Sequence, residues 1–296
     1  MSPPDSPVVI VSLNGAQLAY QQFGLDESSA IVLVAGNASS MDWWDEGFCE
    51  QLAAGDTASG PRRVIRYDFR DTGQSETVAP GAAQYSGGDL INDLIALIDH
   101  LHASPAHVVG LSMGGALVQQ LALVRPEILG SITLMSTTPI GDVTTTLPPP
   151  TDELAASWVN PPPDVDWADV DSVGAAAVDS EQLYSGSIPV DASRIRRIAA
   201  IARARTTSPL SSNNHSSLSE GPGLRTDITS ISVPTLVVHG SEDPLFPLAH
   251  GEMIAELIPG ARLVVVSGLG HQFPPPPAWP QIVDEILRHT TAARTL

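Results

Sequence analysis

Gly110-Leu111-Ser112-Met113-Gly114 joins two stretches of different character. Before it, His107–Leu111 is a short apolar run, which reads as a strand buried on both faces. After it, Met113–Val124 is small and apolar almost all round, which reads as a buried helix. A G-x-S-x-G pattern between strand and helix sets a serine on a sharp turn. Glycine two positions before and two after lets strand and helix approach closely. The Ser112 hydroxyl then stands at the sheet edge as a candidate nucleophile. The Met113 N–H points to where an oxyanion would form, beside the partial positive charge of the helix N-terminus.

Outward from this turn, short apolar runs recur. Val8–Leu13 and Ala16–Gln21 flank Asn14-Gly15 and read as a hairpin. Ile31–Ala35, Arg63–Tyr67, Ile132–Met135, Thr235–His239 and Leu263–Val266 read as further strands, mostly continuous rather than alternating. Between them, Leu90, Leu94, Leu97, Ile98 and Leu101 share one face of a helix over Asp89–His102. His250–Ile258 and Ile282–Thr290 read as two more covering helices. Antiparallel strands first, then alternating strand and helix, predict an α/β fold: a mostly parallel sheet with helices on both faces. The rhythm breaks between about Ile140 and Thr229, a stretch too long for a plain loop. It is expected to be a helical cap inserted after the sixth strand. The division is then 1–139 for the first part of the core, 140–229 for the cap and 230–296 for the second part. Arg194, Arg196, Arg197, Arg203 and Arg205 crowd one helical stretch of this cap. They read as a solvated face, or as partners for the cap's own acidic residues.

Composition narrows the chemistry. Of 296 residues, 43% are hydrophobic and 16% charged, which supplies a large core and argues against disorder. Net charge is -19, a surface that repels phosphate backbones and anionic membranes. The 14 basic residues are all Arg. Without Lys there is no Schiff-base lysine, no P-loop lysine and no Ser–Lys dyad. The single cysteine, Cys49, excludes an internal disulfide and a Cys-cluster metal site. No apolar stretch is long enough to span a membrane. The start, MSPPDSPVVIVSL, has neither a basic n-region nor an apolar h-region, so a cytoplasmic protein is expected, as monomer or homodimer.

A serine hydroxyl needs a base, and that base needs a carboxylate to orient it. Of the eight histidines, His100, His102, His107, His250 and His289 fall on helix ends, strand starts or covering helices, His215 in the cap and His239 within an apolar strand. His271 differs, because it follows a late strand through Ser267-Gly268-Leu269-Gly270 and sits on an exposed loop. For the carboxylate, Asp243 follows strand Thr235–His239 in Gly240-Ser241-Glu242-Asp243-Pro244. It is preferred over its neighbour Glu242 and over Asp142 after Ile132–Met135. The order Ser112, Asp243, His271 is the one expected for this architecture. A second oxyanion donor should follow Ile31–Ala35, where Gly36 permits close approach and the Asn37 N–H is the candidate. Trp43 and Trp44 come next and fit core packing or substrate contact. Gly36, Trp44, Phe246 and Phe273 are candidates for an apolar pocket. Arg66 and Arg70 are expected to brace the core and a turn. No pattern for a metal, dinucleotide or nucleotide phosphate is present, so no cofactor and no metal are expected.

These residues resemble the α/β-hydrolase superfamily over nearly the whole chain. The resemblance is carried by the Ser112 turn, by Arg66-Tyr67-Asp68-Phe69-Arg70-Asp71-Thr72-Gly73-Gln74-Ser75, by Gly240–Asp243 and by Gly268–His271. Within the superfamily the chain most resembles the actinobacterial aclacinomycin methylesterase type. The similar stretches are Ala35-Gly36-Asn37, Arg66–Ser75, Val108–Gly114 and Val233–Leu236. The resemblance implies a cap-covered serine esterase acting on a small-molecule ester, such as a carboxymethyl ester of a polyketide. It departs from the common superfamily pattern at Ala35, where histidine usually precedes the glycine. Two same-fold alternatives use the same three residues, a cofactor-free perhydrolase (haloperoxidase-like) and a hydrolase of carbon–carbon bonds. An alternative of another class is a binding protein on the same fold that has lost catalysis.

Overall fold

The computed structural model describes residues 7–24, 30–141, 145–219, 221 and 225–293. Among these, eight strands form one sheet: β1 (Val9–Leu13), β2 (Ala16–Phe23), β3 (Ala30–Val34), β4 (Arg63–Tyr67), β5 (Ala106–Leu111), β6 (Leu129–Met135), β7 (Thr235–Gly240) and β8 (Arg262–Val266). Their order is β1-β2-β4-β3-β5-β6-β7-β8. β2 pairs antiparallel with β1 and β4, and every later pair is parallel. Asn14 and Gly15 both take positive φ, 47° and 77°, as a two-residue hairpin turn requires. All residues of β3, β4, β5 and β7 are buried, which demands cover on both faces of the sheet. The edge strands β1 and β8 are largely exposed or half-exposed.

Five helices cover this sheet: α1 (Glu46–Ala54), α2 (Gly87–His100), α3 (Met113–Val124), α7 (Ala249–Leu257) and α8 (Trp279–Ala292). α2 begins in a capping box, with the Ser86 hydroxyl accepting from the Asp89 N–H and the Asp89 carboxylate accepting from the Ser86 N–H. Its apolar stripe, Leu90, Leu94, Leu97 and Ile98, is buried as its spacing predicts. α3 buries Leu117, Val118, Leu121 and Leu123, together with both glutamines, Gln119 and Gln120. Gln119 reaches the Thr138 carbonyl and Gln120 the Arg225 carbonyl, so neither amide is buried unpaired. His107 meets Ser131 at 2.9 Å, and His289 faces the carbonyls of Ile132 and Pro234, structural roles in keeping with their positions.

Between β6 and β7 the described residues hold three helices and a long 3₁₀ segment and no strand: α4 (Asp152–Val159), α5 (Val170–Tyr184), α6 (Ala192–Arg205) and Pro209–Ser217. Three arginines of α6 depart from expectation, whereas Arg196 is exposed and Arg203 bonds the Trp167 carbonyl within the segment. Arg194 is buried and pairs with Asp45 at 3.0 Å, and Arg197 reaches the same carboxylate at 3.2 Å. Arg205 bonds both Asp42 and Asp68. The partners lie neither in solvent nor among the acidic residues of this segment, but on the loops after β3 and β4. Burial leaves these carboxylates needing a counter-ion, and α6 carries it across. Arg66 and Arg70 brace the core as expected, on Gln21 and the Trp44 carbonyl and on Asp93 respectively. No helix of the described residues is long and apolar enough to cross a membrane.

Asp68 is fully buried, and burial raises its carboxyl above the ordinary range, against the opposing charge of Arg205 and the N–H groups of Gln74 and Met41. Arg205→Ala is expected to cost about 3 kcal/mol of stability at neutral pH. A carboxyl whose folded pKa is raised favours the fold below its unfolded value and loses that contribution as pH rises. The penalty of Arg205→Ala, read from urea unfolding, therefore shrinks as pH is lowered and Asp68 takes up a proton. At the turn itself, a Cβ on Gly114 would lie 2.4 Å from the Ala35 carbonyl oxygen and 2.5 Å from that of Val34. Gly114→Ala is expected to lower stability by about 2–3 kcal/mol in the same assay, since backbone cannot move aside as a side chain can.

Candidate active site

β5 ends at Leu111 and α3 begins at Met113, which leaves Ser112 alone on the turn with φ 54° and ψ -117°. A residue with a Cβ is strained there, and the surroundings hold it. Its N–H donates to the Met135 carbonyl at 2.9 Å, and its carbonyl accepts from the Thr137 hydroxyl at 2.8 Å. Gly110 permits the turn, because a Cβ there would meet the Gly114 carbonyl oxygen at 2.4 Å.

Three side chains from distant parts of the chain meet at this edge. The Ser112 hydroxyl lies 2.9 Å from His271 Nε2, and His271 Nδ1 lies 2.9 Å from Asp243 Oδ2. The other Asp243 oxygen accepts from the N–H groups of Leu245 and Phe246, at 2.9 and 2.8 Å. Burial alone would raise the Asp243 carboxyl. The His271 hydrogen bond and charge, with the Phe246 N–H, outweigh it and leave the group below its ordinary value. The carboxylate is thus ionised and rigid, and Nδ1 of His271 must carry the proton it accepts. The His271 N–H donates to the Tyr184 carbonyl at the end of α5, which ties the loop to the inserted helices. The Phe246 ring meets the imidazole edge-on, 5.3 Å between centroids.

No other histidine reaches Ser112, though His239 Nε2 lies 3.6 Å from Asp243 Oδ2. His239 is buried, with Nε2 on the Phe246 carbonyl at 2.7 Å, and burial lowers its pKa. His250 lies between Thr138 and the Pro148 carbonyl. Glu242 turns away to accept from the N–H and hydroxyl of Ser187, so alternation separates it from Asp243. Asp142 lies outside the described residues. The Cys49 thiol is buried and pushed up to about 12, chiefly by desolvation, which removes it as a nucleophile.

The loop after β3 returns to the same edge. A Cβ on Gly36 would lie 3.4 Å from Leu111 Cδ2 and 3.6 Å from Ser112 Cβ, so the loop backbone passes beside the serine. Met113 is the first residue of α3, and its N–H has no carbonyl one turn back to bond. Gly36, Asn37, Ser112, His271 and Phe273 line one cavity of about 300 Å³. An adjoining cavity of about 390 Å³ shares Trp43 and Ser180 with it and is walled by Val173, Ala176, Ala177, Ala199 and Ala202 of α5 and α6.

Two of the apolar candidates need correction. Trp44 is 1% exposed, stacked on Phe48 and set edge-on to Phe273, and so belongs to the core. Its neighbour Trp43 faces both cavities instead, because the short 3₁₀ turn Met41–Trp43 points successive side chains in different directions. Phe246 packs on His271 without lining the cavity, and Leu245 lines it. Residues of α5 that sequence reasoning missed also face the serine, among them Tyr184 and Glu181. Burial raises the Glu181 carboxyl, partly offset by a 2.8 Å hydrogen bond from Gln272 and by the charge of Arg194. Adjacency to His271 would have flagged Gln272, whereas nothing local marks Glu181. No cluster of metal-ligating side chains occurs among the described residues.

The arrangement is one in which a hydroxyl can lose its proton to an oriented imidazole beside backbone N–H donors. Comparison with known proteins places the chain in a family. The chain is similar to the rhodomycin D methylesterase of Streptomyces sp. (strain C5), with 28% identity over 97% of this chain and 99% of that one. It is similar to the rhodomycin D methylesterase of Streptomyces peucetius at 27%, with the same coverage. Among solved structures it resembles the enol-lactonase of Burkholderia xenovorans LB400, with a TM-score of 0.67, 23% identity, and coverage of 97% of this chain and 100% of that one. The family model described as the alpha/beta hydrolase family matches residues 31–285, and the chain belongs to that family.

Proposed function

We propose that this protein is a serine hydrolase of carboxylic esters, working through an acyl-enzyme. The observation that carries the reading is the pair of 2.9 Å contacts running from Asp243 through His271 to Ser112. In this reading Ser112 Oγ attacks the ester carbonyl while His271 Nε2 takes its proton. Asp243 holds the imidazole in the tautomer with hydrogen on Nδ1 and stabilises the imidazolium. The carbonyl oxygen becomes an oxyanion between the N–H groups of Met113 and Asn37, each such donor contributing about 3–4 kcal/mol in the transition state. His271 returns its proton to the leaving alcohol as the carbon–oxygen bond breaks. Water, deprotonated by the same imidazole, then attacks the acyl-enzyme, and Ser112 leaves with the proton to regenerate the site.

The two cavities support a reading of the substrate class. The smaller holds the reacting ester among polar groups, and the larger offers apolar walls beyond Trp43. Such a pair fits an ester with a bulky apolar body, such as a polyketide carboxymethyl ester, and the two methylesterase relatives support this choice. Residues 140–229 serve in this reading as the cap over a hydrolase body made of 1–139 and 230–296.

Ser112→Ala is expected to reduce kcat on a 4-nitrophenyl ester by roughly 10⁶-fold while the thermal midpoint changes little. Hydrolysis at the wild-type rate by this variant would overturn the reading. Asp243→Asn should cost about 10⁴-fold in kcat, because the amide favours the wrong imidazole tautomer. Wild-type turnover of a methyl ester, set beside a peracid assay and a β-diketone, distinguishes ester hydrolysis from perhydrolysis and carbon–carbon cleavage. Failure of a fluorophosphonate probe to label Ser112 would favour a non-catalytic binding protein.

A further inference from the structure

The loop that carries Asn37 is held locally by Ser39, whose N–H reaches the Gly36 carbonyl at 3.3 Å and whose hydroxyl donates to the Asn37 carbonyl at 3.1 Å; neither bond holds Ala38. Ala38 has φ 55°, a conformation that a residue with a Cβ keeps only when its surroundings impose it. The support comes from the 3₁₀ segment Pro209–Ser217, far along the chain. The Ala38 N–H donates to His215 Nδ1 at 3.3 Å, and the Asn37 side-chain amide donates to the Ser216 hydroxyl at 3.1 Å. Two consecutive loop residues are therefore bonded to two consecutive residues of the segment.

His215 is buried and satisfied at both nitrogens. Because Nδ1 accepts from Ala38, Nε2 carries the hydrogen and donates it to the Arg70 carbonyl at 2.7 Å. The Phe69 ring meets the imidazole edge-on at 5.7 Å. Burial drives the group toward its neutral form, against the Arg70 carbonyl and the field of Asp71, and only the neutral form keeps both hydrogen bonds. The segment is itself anchored: Asn214 donates to Asp71 at 2.8 Å and accepts from the Gly81 N–H at 2.6 Å. Ala35, immediately before Gly36, has no polar side chain with which to brace the loop from within.

We infer that His215 is a positioning residue for the oxyanion site: by accepting the Ala38 N–H it holds the loop backbone so that the Asn37 N–H faces the reacting carbonyl. The inference rests on the proposed ester hydrolysis and on Asn37 as a donor. His215 touches no reacting atom and acts through the loop. Its contribution appears when the carbonyl oxygen becomes an anion, so it bears on kcat more than on KM.

Three substitutions test it with a 4-nitrophenyl ester and an aryl trifluoromethyl ketone, whose hemiketal oxyanion with Ser112 needs the same donors. His215→Ala is expected to lower kcat about 10- to 100-fold and to weaken the ketone by a similar factor, with KM changed less than about twofold. His215→Asn sets an acceptor oxygen where Nδ1 stands and should recover most of the loss. His215→Gln keeps a donor near the Arg70 carbonyl but carries its amide one bond farther out, with no acceptor at the place of Nδ1, and should remain slow. Equal behaviour of the Asn and Gln variants would overturn the inference, as would unchanged kcat or unchanged ketone affinity in His215→Ala. If His215→Ala fails to fold, the Asn and Gln pair carries the comparison. A wild-type protein inert toward the ester overturns the hydrolase reading instead, so the two failures are distinguishable.

Discussion

The close approach of α3 to β3 and β5 is the constraint on which the rest depends. Gly110 and Gly114 lie so near neighbouring carbonyls that a methyl group at either position would overlap backbone. That approach forces Ser112 into a positive-φ conformation on a one-residue turn. A side chain on such a turn cannot fold back into the sheet or along the helix, so it projects over the strand ends. The same turn brings the first N–H of α3 alongside the loop that leaves β3. The outward-facing Ser112 side chain and the placement of the first N–H of α3 are therefore two consequences of one packing contact, and strain at the serine is sustained by the buried sheet beneath it.

Electrostatics completes what packing begins. Asp243 is buried, yet it accepts two backbone N–H groups and the imidazole N–H, so its charge is the stable form. A carboxylate held so firmly leaves His271 one tautomer and directs Nε2 at the serine. The contrast with Glu181 is instructive. That carboxyl lines the cavity itself, but it has one amide hydrogen bond against its burial and shifts the opposite way. The two acids share a site and differ in the number of donors aimed at them.

The inserted helices are bound to the hydrolase body by charge and by backbone. α6 sends Arg194 and Arg205 into acidic residues of the body, and the His271 loop hydrogen-bonds to the end of α5. In a chain with 33 acidic residues and 14 basic ones, spending several arginines on buried carboxylates shows where charge repulsion most needs relief. Through His215 and Ser216 the same insertion reaches the loop after β3. One side of the cavities and two hydrogen bonds to that loop thus come from one segment, so a change in the insertion alters pocket shape and loop geometry together.

The strand runs, the buried helix α3 and the Ser112 turn were legible from the residues, because burial on both faces and close glycine contacts leave local patterns. Asp243 and His271 were legible as loop residues at strand ends, since strand order carries those ends to one edge. The exchange of Trp43 for Trp44 was not, because one residue of rotation on a 3₁₀ turn decides which ring is buried. Nor were the partners of the α6 arginines, the place of Glu181 on the cavity wall or the bond between His215 and Ala38. Each joins residues whose separation along the chain bears no relation to any helix or strand period. The sequence by itself determined the layered α/β architecture and marked Ser112, Asp243 and His271 as candidates, because periodicity and tight turns are properties of neighbouring residues. Tertiary structure alone decided the pocket walls and the bracing of the loop, because contacts across the sheet edge depend on where distant segments come to rest.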